Sequence, residues 1–405
     1  MRAYRVRAPT RIAPFDDPPR ELFVATRTIG EWQRLAVEGA GLELVDVEDL
    51  GAIETAEPRI VFYDDVFFTE TALRNFLAEA MGEKGIVALA LPDAGIWRAI
   101  GPLSDAELCE DGHRVDIFQL DAGAAASDRT ALQRASRPCL VRALERAFPI
   151  RLPRVEGGKD EANATVTLRI AAHVRHWLHL LRLSQLAIGV LIAEQARADP
   201  FRVFWHRRIL RRRGPRLARA LNFVHPSADV HPTADLECAI IGPDCVVRAH
   251  AHIHYSALGR GVSVGDHAAI MGCTLADDVQ VLRASYLALC AAMPGGTLAN
   301  YKVQLSLFGR DVFLTSSAWL LDAKLRGGSI RVEHQGSLVP IETAFLGSAL
   351  GHRVTLGARV SLAPGRAVPN GATIVGPLDD VITSLPRELP EGVLTIAKGG
   401  VIPVK

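Results

Sequence analysis

A six-residue repeat near the C-terminus leaves this 405-residue chain few ways to fold. An aliphatic residue opens each hexad, a small residue or proline usually follows it, and a second small or aliphatic residue stands four positions after the first. The openings are Leu350, Leu356, Leu362 and Val368, and the same period begins earlier at Val224 and Val230. Units this short bury their apolar residues only by stacking, with three hexads making one coil of about 18 residues. The pattern predicts a left-handed parallel β-helix over residues 223–378, because a β-sandwich does not require four unbroken hexads.

The repeat fades between Ala284 and Phe345. Residues Met293–Lys302 are predicted to form a loop that leaves the coil. Residues Ile330–Pro340 are predicted to form a two-stranded excursion that turns at Gly336. Loops that leave a β-helix are where such folds place binding sites.

Composition excludes several classes of protein. The net charge is +1, so no global field attracts nucleic acid or a membrane surface. The six cysteines include no CxxC pair, which indicates reduced thiols in a cytoplasmic protein. The apolar stretch Leu183–Ala193 is shorter than the roughly 20 residues of a membrane span, and no targeting signal is visible. The basic cluster between Arg207 and Arg219 is interpreted as a solvated helix face, with a nucleic-acid site as the alternative.

The middle of the chain predicts a helical linker over residues 165–222. Apolar residues from Val174 to Ile188 follow helical spacing, and Trp177, Leu178 and Leu181 are expected to seat the helix between two domains. Helical structure is expected to continue towards Arg219, with breaks near Pro200 and Gly214.

Three segments together resemble the C-terminal domain of bifunctional sugar-1-phosphate nucleotidylyltransferase/acetyltransferases. They are Gly296-Thr297-Leu-Ala-Asn300, Gly336-Ser-Leu-Val339 and Ala363-Pro-Gly365. The resemblance implies an α/β, Rossmann-like nucleotidyltransferase domain at the N-terminus. The implied division is 1–164 for that domain, 165–222 for the linker, 223–378 for the β-helix and 379–405 for a C-terminal tail.

The N-terminus departs from this family at its glycine loop, whose backbone amides cradle nucleotide phosphates. Arg7, Ala8 and Pro9 stand where the glycines would be, and proline has no N–H. The expected lysine is Arg20, which is not equivalent as a point charge. The frame around the loop survives, so the resemblance implies anion or nucleotide binding by Thr10, Arg11 and Arg20.

A pair of carboxylates is the candidate metal site. By resemblance, the strand from Arg59 leads to Asp64 and Asp65, either of which could hold Mg²⁺. An equally good interpretation is a strand followed by a helix that Thr69 caps, with Glu70 in its first turn.

Acyl transfer on the β-helix is a second chemistry that the resemblance implies. It would use a histidine as general base and acetyl-CoA as donor. The candidates are His334 and His352, with Asn300 and Tyr301 in the family's loop. Taken alone, each histidine is more often a solvent-facing strand residue, and this also holds for His252, His254 and His267.

The residues favour a protein with a transferase fold that has lost nucleotidyl transfer. It would act as a trimeric scaffold or bind a nucleotide or sugar phosphate, as a pseudoenzyme. An active hexapeptide acyltransferase and an active sugar-1-phosphate nucleotidyltransferase are the alternatives. The predicted homotrimer would place apolar residues outside the hexad frame at subunit contacts or beneath the excursion. These residues are Tyr286, Leu289, Phe308, Phe313, Trp319 and Leu320.

Overall fold

The structure is a computed structural model. It describes residues 1–93, 95–104, 106–109, 112–142, 145–151, 161–205, 221–324, 328–377, 381–382, 385, 389, 394–397 and 400–403. The basic cluster Arg207–Arg219 and most of the predicted tail lie outside these residues.

The N-terminal half is a three-layered α/β unit. Its strands are β1 (Arg2–Val6), β2 (Phe23–Val24), β3 (Arg27–Thr28), β4 (Glu43–Val47), β5 (Arg59–Tyr63), β6 (Val66–Phe68), β7 (Ile86–Leu91), β8 (Leu108–Cys109), β9 (Gly112–Leu120), β10 (Arg137–Leu140), β11 (Arg146–Arg151), β12 (Glu161–Val166) and β13 (Ala171–His173). Its helices are α1 (Ile29–Gly39), α2 (Glu70–Glu79), α3 (Gly95–Ile100) and α4 (Arg129–Ala135).

The main sheet has the order β10-β7-β9-β5-β1-β4, with β8 paired to β9. Strand β1 is parallel to both β4 and β5, whereas β9 is antiparallel to β5 and β7. Every residue of β5 and β7 is buried, which is typical of strands covered on both faces. The order places the crossover between β1 and β5, where the chain changes direction across the sheet.

Local signals in the sequence explain where the helices begin. Thr28 and Glu31 form a reciprocal capping box at α1, as the Thr-x-x-Glu spacing favours. The Thr69 side chain accepts from Ala72 N at the start of α2, and Glu70 lies in the first turn. The helix that was one interpretation of this segment is therefore present.

Helix α5 (Trp177–Ala198) joins the two halves, and α6 (Pro200–Phe204) follows it. The length of α5 and its mean hydropathy of 1.3 are compatible with a membrane span, but 61% of that segment is buried within the protein. It is accordingly a core helix. Strand β13 pairs with β6 beyond residue 164, so the domain boundaries at 164 and 222 remain predictions.

The C-terminal half is a parallel β-helix with three faces. Two eight-stranded sheets and one of five strands stack along it, and they fit the predicted left-handed fold. Its strands are β14 (Phe223–Val224), β15 (Asp229–Val230), β16 (Asp235–Glu237), β17 (Ile240–Ile241), β18 (Val246–Val247), β19 (His252–His254), β20 (Ala257–Leu258), β21 (Ser263–Val264), β22 (Ala269–Met271), β23 (Thr274–Leu275), β24 (Gln280–Val281), β25 (Tyr286–Ala288), β26 (Ala291–Ala292), β27 (Thr297–Leu298), β28 (Val303–Gln304), β29 (Leu307–Phe308), β30 (Phe313–Leu314), β31 (Trp319–Leu320), β32 (Ile330–His334), β33 (Ser337–Ile341), β34 (Ala349–Leu350), β35 (Thr355–Leu356), β36 (Ser361–Leu362), β37 (Ala367–Val368), β38 (Thr373–Ile374), β39 (Leu394–Ala397) and β40 (Gly400–Pro403).

The coils are shorter than three full hexads. Register partners Phe223 and Ile240 are 17 residues apart, and this spacing continues to Ala291. One corner of each coil is tightened by a residue in the left-handed region of φ, including the non-glycine residues Cys238, Tyr255 and Leu289. The six-residue frame therefore slips by one position in each coil.

The predicted loop at Met293–Lys302 is wrong, because β27 lies within it and pairs with β24 and β30. The coil continues to Leu320, and the hexads fade only because of the short corners. The excursion is confirmed: β32 and β33 form an antiparallel hairpin whose turn has positive φ at Gln335 and Gly336. It occupies the one long connection, where register partners Leu307 and Ala349 are 42 residues apart.

The two halves share one hydrophobic core. The inward residues of the first β-helix sheet, such as Leu258 and Phe308, fill the β-helix interior. Its outward residues, such as Ala257 and Leu307, belong instead to the core of the N-terminal half and α5. Phe308 and also Leu320 point into the β-helix, so these two do not line a subunit contact.

Candidate functional site at the edge of the N-terminal sheet

The predicted anion and metal residues meet at the carboxyl edge of the sheet. Residues 7–10 follow β1, and Asp64 and Asp65 follow β5 directly. Ligands of open α/β sheets bind in the crevice outside the carboxyl ends of strands where the chain order reverses. The sequence therefore placed its candidates in the right part of the fold.

The loop after β1 has no amide free for a phosphate. Arg7 N donates to Val47 O at 3.2 Å, and Ala8 N donates to Asp64 Oδ1 at 2.8 Å. Pro9 has no N–H to donate. None of these three residues has a positive φ, so the loop does not have the conformation that converging amides require.

Asp65 is buried and held by cations. Its Oδ2 accepts from Arg129 Nη1 at 2.8 Å, from Thr10 Oγ1 at 3.0 Å and from Arg175 Nη1. Burial by itself raises the pKa of Asp65, but the charges of Arg129 and Arg175 outweigh it and hold that pKa below its usual value. Asp65 is thus a stable carboxylate whose charge the protein itself neutralises.

Arg129 bridges this carboxylate to a second one. Its Nε donates to Asp116 Oδ2 at 2.5 Å, and its guanidinium lies 4.3 Å from the centre of the Tyr63 ring. Asp116 also accepts from Gln133 Nε2 at 2.9 Å and lies 3.2 Å from His173 Nε2. Burial raises the pKa of Asp116, but His173 and Arg129 more than reverse the effect, so its pKa is strongly lowered.

Several buried atoms of this cluster have no hydrogen-bond partner among the described residues. They are Asp64 Oδ2, Asp65 Oδ1, Arg129 Nη2 and His173 Nδ1. Buried polar atoms are normally paired, so orphaned ones mark a place that a polar ligand can complete. Burial raises the pKa of Asp64, which distinguishes it from its neighbour.

The carboxylates do not fit a magnesium ion. Mg²⁺ requires an octahedron of oxygen ligands at about 2.1 Å. Two guanidinium groups already occupy the Oδ2 edge of Asp65, and Asp64 is turned towards the amide of Ala8. A dication would meet like charge at once, so this arrangement does not support the metal role that the resemblance implied.

The predicted anion-binding residues are divided between two places. Thr10 is bonded to Asp65, while Arg11 is exposed and donates to Asp16 O at 3.4 Å. Arg20 lines a cavity of about 80 Å³. The other lining residues of this cavity are Arg5, Arg7, Asp46, Val47, Glu48 and Asp64.

The four residues proposed for acyl transfer have separate surroundings. Asn300 is buried, and its Nδ2 donates to Thr315 O and Ala318 O at 3.2 and 2.6 Å, so it fixes a coil corner. Tyr301 beside it is 65% exposed. His334 lies in the hairpin, with its ring 5.8 Å from that of His176.

His352 holds the two halves together. Its Nδ1 accepts from Arg310 N at 2.8 Å, and its Nε2 lies 3.0 Å from Asp17 Oδ2. Burial lowers the pKa of His352, and Arg310 adds to the shift against the opposing effect of Asp17. Both ring nitrogens are engaged in a contact between the β-helix and the segment after β1. The part of any of these four residues in catalysis stays a prediction.

The sequence analysis missed Asp116, Arg129, His173 and Arg175 as members of the site. One signal was present: Asp116 interrupts the apolar run from Val115 to Phe118, and a charged residue in such a strand is rarely buried without a partner. The partner itself has no local signature. Asp65 is 64 residues from Arg129 and 110 from Arg175.

Comparison with known proteins gives limited information. No protein-family model and no curated protein matches this sequence. Two solved structures that resemble it are a mutant of GDP-perosamine N-acetyltransferase and PerB, both from Caulobacter crescentus and both in complex with CoA and GDP-perosamine. Each is 20% identical over 38% of this chain, with TM-scores of 0.15 and 0.17. The chain spans 53% and 54% of their lengths, and the likeness adds nothing to the description of the site.

Proposed function

We propose that this protein binds the phosphate group of a sugar phosphate or nucleotide and does not transfer nucleotidyl groups. The β-helix would serve as the scaffold of a homotrimer, in the cytoplasm. The observation that carries the proposal is the engagement of the Arg7 and Ala8 amides with Val47 and Asp64.

The loss of transfer follows from the amides and the ion pairs together. Nucleotidyl transfer needs donors aimed at the developing charge, and removing one such donor costs on the order of 3 kcal/mol, about a hundredfold in rate. Here the loop has no free donor at three consecutive positions. The carboxylate expected to hold the metal is neutralised by Arg129 and Arg175.

The remaining capacity to bind an anion centres on Arg20. Arg5 is paired with Asp46 at 2.6 Å and Arg7 with Glu48 at 3.2 Å, whereas Arg20 has no carboxylate within ion-pair distance in the described part of the chain. Pockets for drug-sized ligands measure about 300–1,000 Å³. The cavity beside Arg20 therefore suits a phosphate group, with the rest of the ligand outside.

The catalytic half of the proposal is tested by pyrophosphate release. The full chain is incubated with each of the four NTPs, magnesium and common hexose 1-phosphates. We expect release at the rate of the enzyme-free control. A turnover above about 0.1 per second, low against typical enzymes, would show that nucleotidyl transfer is retained.

The binding half is tested by calorimetry with glucose 1-phosphate and with Mg-ATP, each titrated with and without magnesium. We expect saturable binding that magnesium does not strengthen and that Arg20→Gln abolishes. Arg34→Gln, on the exposed face of α1, is the matched control and should bind as the wild type does. Binding that Arg20→Gln leaves intact would place the ligand elsewhere. Acetyl-CoA is titrated in parallel, because acyl transfer remains the alternative.

A further inference from the structure

A second group of polar side chains lies on the β-helix, far along the chain from the site described above. Strand β19 carries His252 and His254 on its outer face, with Ile253 between them pointing into the core. This alternation follows from the two-residue period of a strand. Asp235, on the neighbouring strand β16, is the register partner of His252.

The three side chains converge. His254 Nε2 lies 3.1 Å from Asp235 Oδ2, and His252 Nδ1 lies 3.6 Å from the same oxygen. One nitrogen or oxygen atom from each of the three residues falls within 4.8 Å of the other two. The two imidazole rings are nearly perpendicular, at 85°, so their nitrogens approach the carboxylate from different directions.

These separations match those around a tetrahedral metal ion. Zinc binds imidazole nitrogen and carboxylate oxygen at about 2.0–2.2 Å, which places neighbouring ligand atoms about 3.3 Å apart. The two observed distances bracket this value, so only small rotations of the side chains would seat an ion. A pair held by one hydrogen bond does not require the second histidine.

We propose that Asp235, His252 and His254 form a binding site for a divalent transition-metal ion of the zinc type. Two imidazoles and one carboxylate are borderline ligands that favour zinc, cobalt or nickel over magnesium or calcium. Ala269 is the register partner of His252 on the next coil and adds no long side chain there. With the His252 side chain 54% exposed, the fourth coordination position opens to solvent. The site is independent of the proposed phosphate site.

The test is calorimetric titration of the full chain, freed of any affinity tag, with Zn²⁺, and a parallel titration with Co²⁺ followed by visible absorption. We expect one ion per chain and a cobalt spectrum of four or five coordination instead of the hexa-aquo ion. His252→Ala and His254→Ala should each weaken binding by at least about tenfold, the lower end of what outer-shell changes already produce. Excess Mg²⁺ should leave the titration unchanged.

His225→Ala is the matched control, since His225 is an exposed histidine on a different sheet of the same β-helix and bonds only locally, to Ser227. It should bind zinc as the wild type does. Circular dichroism confirms that each variant is folded, which is expected because both ligand histidines are partly exposed. The proposal is overturned if zinc binding is not saturable, or if His225→Ala weakens it as much as His252→Ala does.

Discussion

Replacing Arg129 with methionine removes the cation that joins the two buried carboxylates of the N-terminal site. The side chains of Asp65 and Asp116 are 0% and 2% exposed, so water cannot compensate for the lost charge. Removing one partner of a buried ion pair costs about 3–5 kcal/mol, mostly because the other charge is left uncompensated. Methionine keeps much of the volume of the arginine stem, so the expected loss is electrostatic. It is measured as the change in the free energy of unfolding in urea at pH 7.5.

The dependence of this loss on pH identifies its cause. In the wild type the pKa values of Asp65 and Asp116 are lowered, so their contribution is complete above the unfolded value of about 3.9 and is lost only as pH falls below it. In Arg129→Met, burial acts with less opposition, and the folded pKa of one or both carboxyls should rise. The variant should then gain stability between pH 7.5 and 4.5, by about 1.4 kcal/mol for each unit by which a carboxyl pKa exceeds its unfolded value. The wild type should stay level over the same range.

Arg134→Met is the control, since Arg134 is an exposed residue of the same helix. It should change the free energy of unfolding by less than about 0.5 kcal/mol. A loss below about 1 kcal/mol for Arg129→Met, or a loss that does not shrink on acidification, would refute the account of Asp65 and Asp116 as carboxylates held by Arg129.

Three further outcomes are expected. Trp177 is 1% exposed in the shared core, so Trp177→Ala should lower the free energy of unfolding by about 3–5 kcal/mol, whereas Trp205→Ala, at 44% exposure, should cost less than about 1 kcal/mol in the same denaturant titration. Light scattering should give about three times the 43.8 kDa of one chain, and Trp319→Asp, at a side chain 51% exposed, should dissociate the trimer; a monomeric wild type at micromolar concentration contradicts this. Thiol reagents should modify the three fully buried cysteines only after unfolding, with burial also raising the pKa of two of them; these cysteines are Cys245, Cys273 and Cys290.

The sequence predicted the elements whose cause is local. The hexads near Leu350, the hairpin turn at Gly336 and the helix cap at Thr69 each depend on residues within a few positions of one another. The coils between Ala284 and Leu320 escaped notice because non-glycine residues take up the left-handed φ at the short corners and break the period.

The candidate site was predicted in part for the same reason. Its strand-end residues, such as Asp64 and Asp65, follow from the order of strands. The arginines that determine the charge of Asp65 come from α4 and from the segment before α5, which only the tertiary fold brings together. A pattern of spacing identifies where a carboxylate lies, but its protonation and its capacity for metal depend on partners more than 60 residues away.

The outward row of the first β-helix sheet has a consequence for how this protein can evolve. Ala257, Ala291, Leu307 and Ala349 lie against the N-terminal half and α5 and are at most 3% exposed. A β-helix separated from its partner would present this row to water as a continuous apolar strip and would self-associate. The N-terminal half is therefore indispensable as a cover even if it no longer performs chemistry. Drift can erase its glycine loop, but a deletion that removed the domain would remove the solubility of everything that follows it.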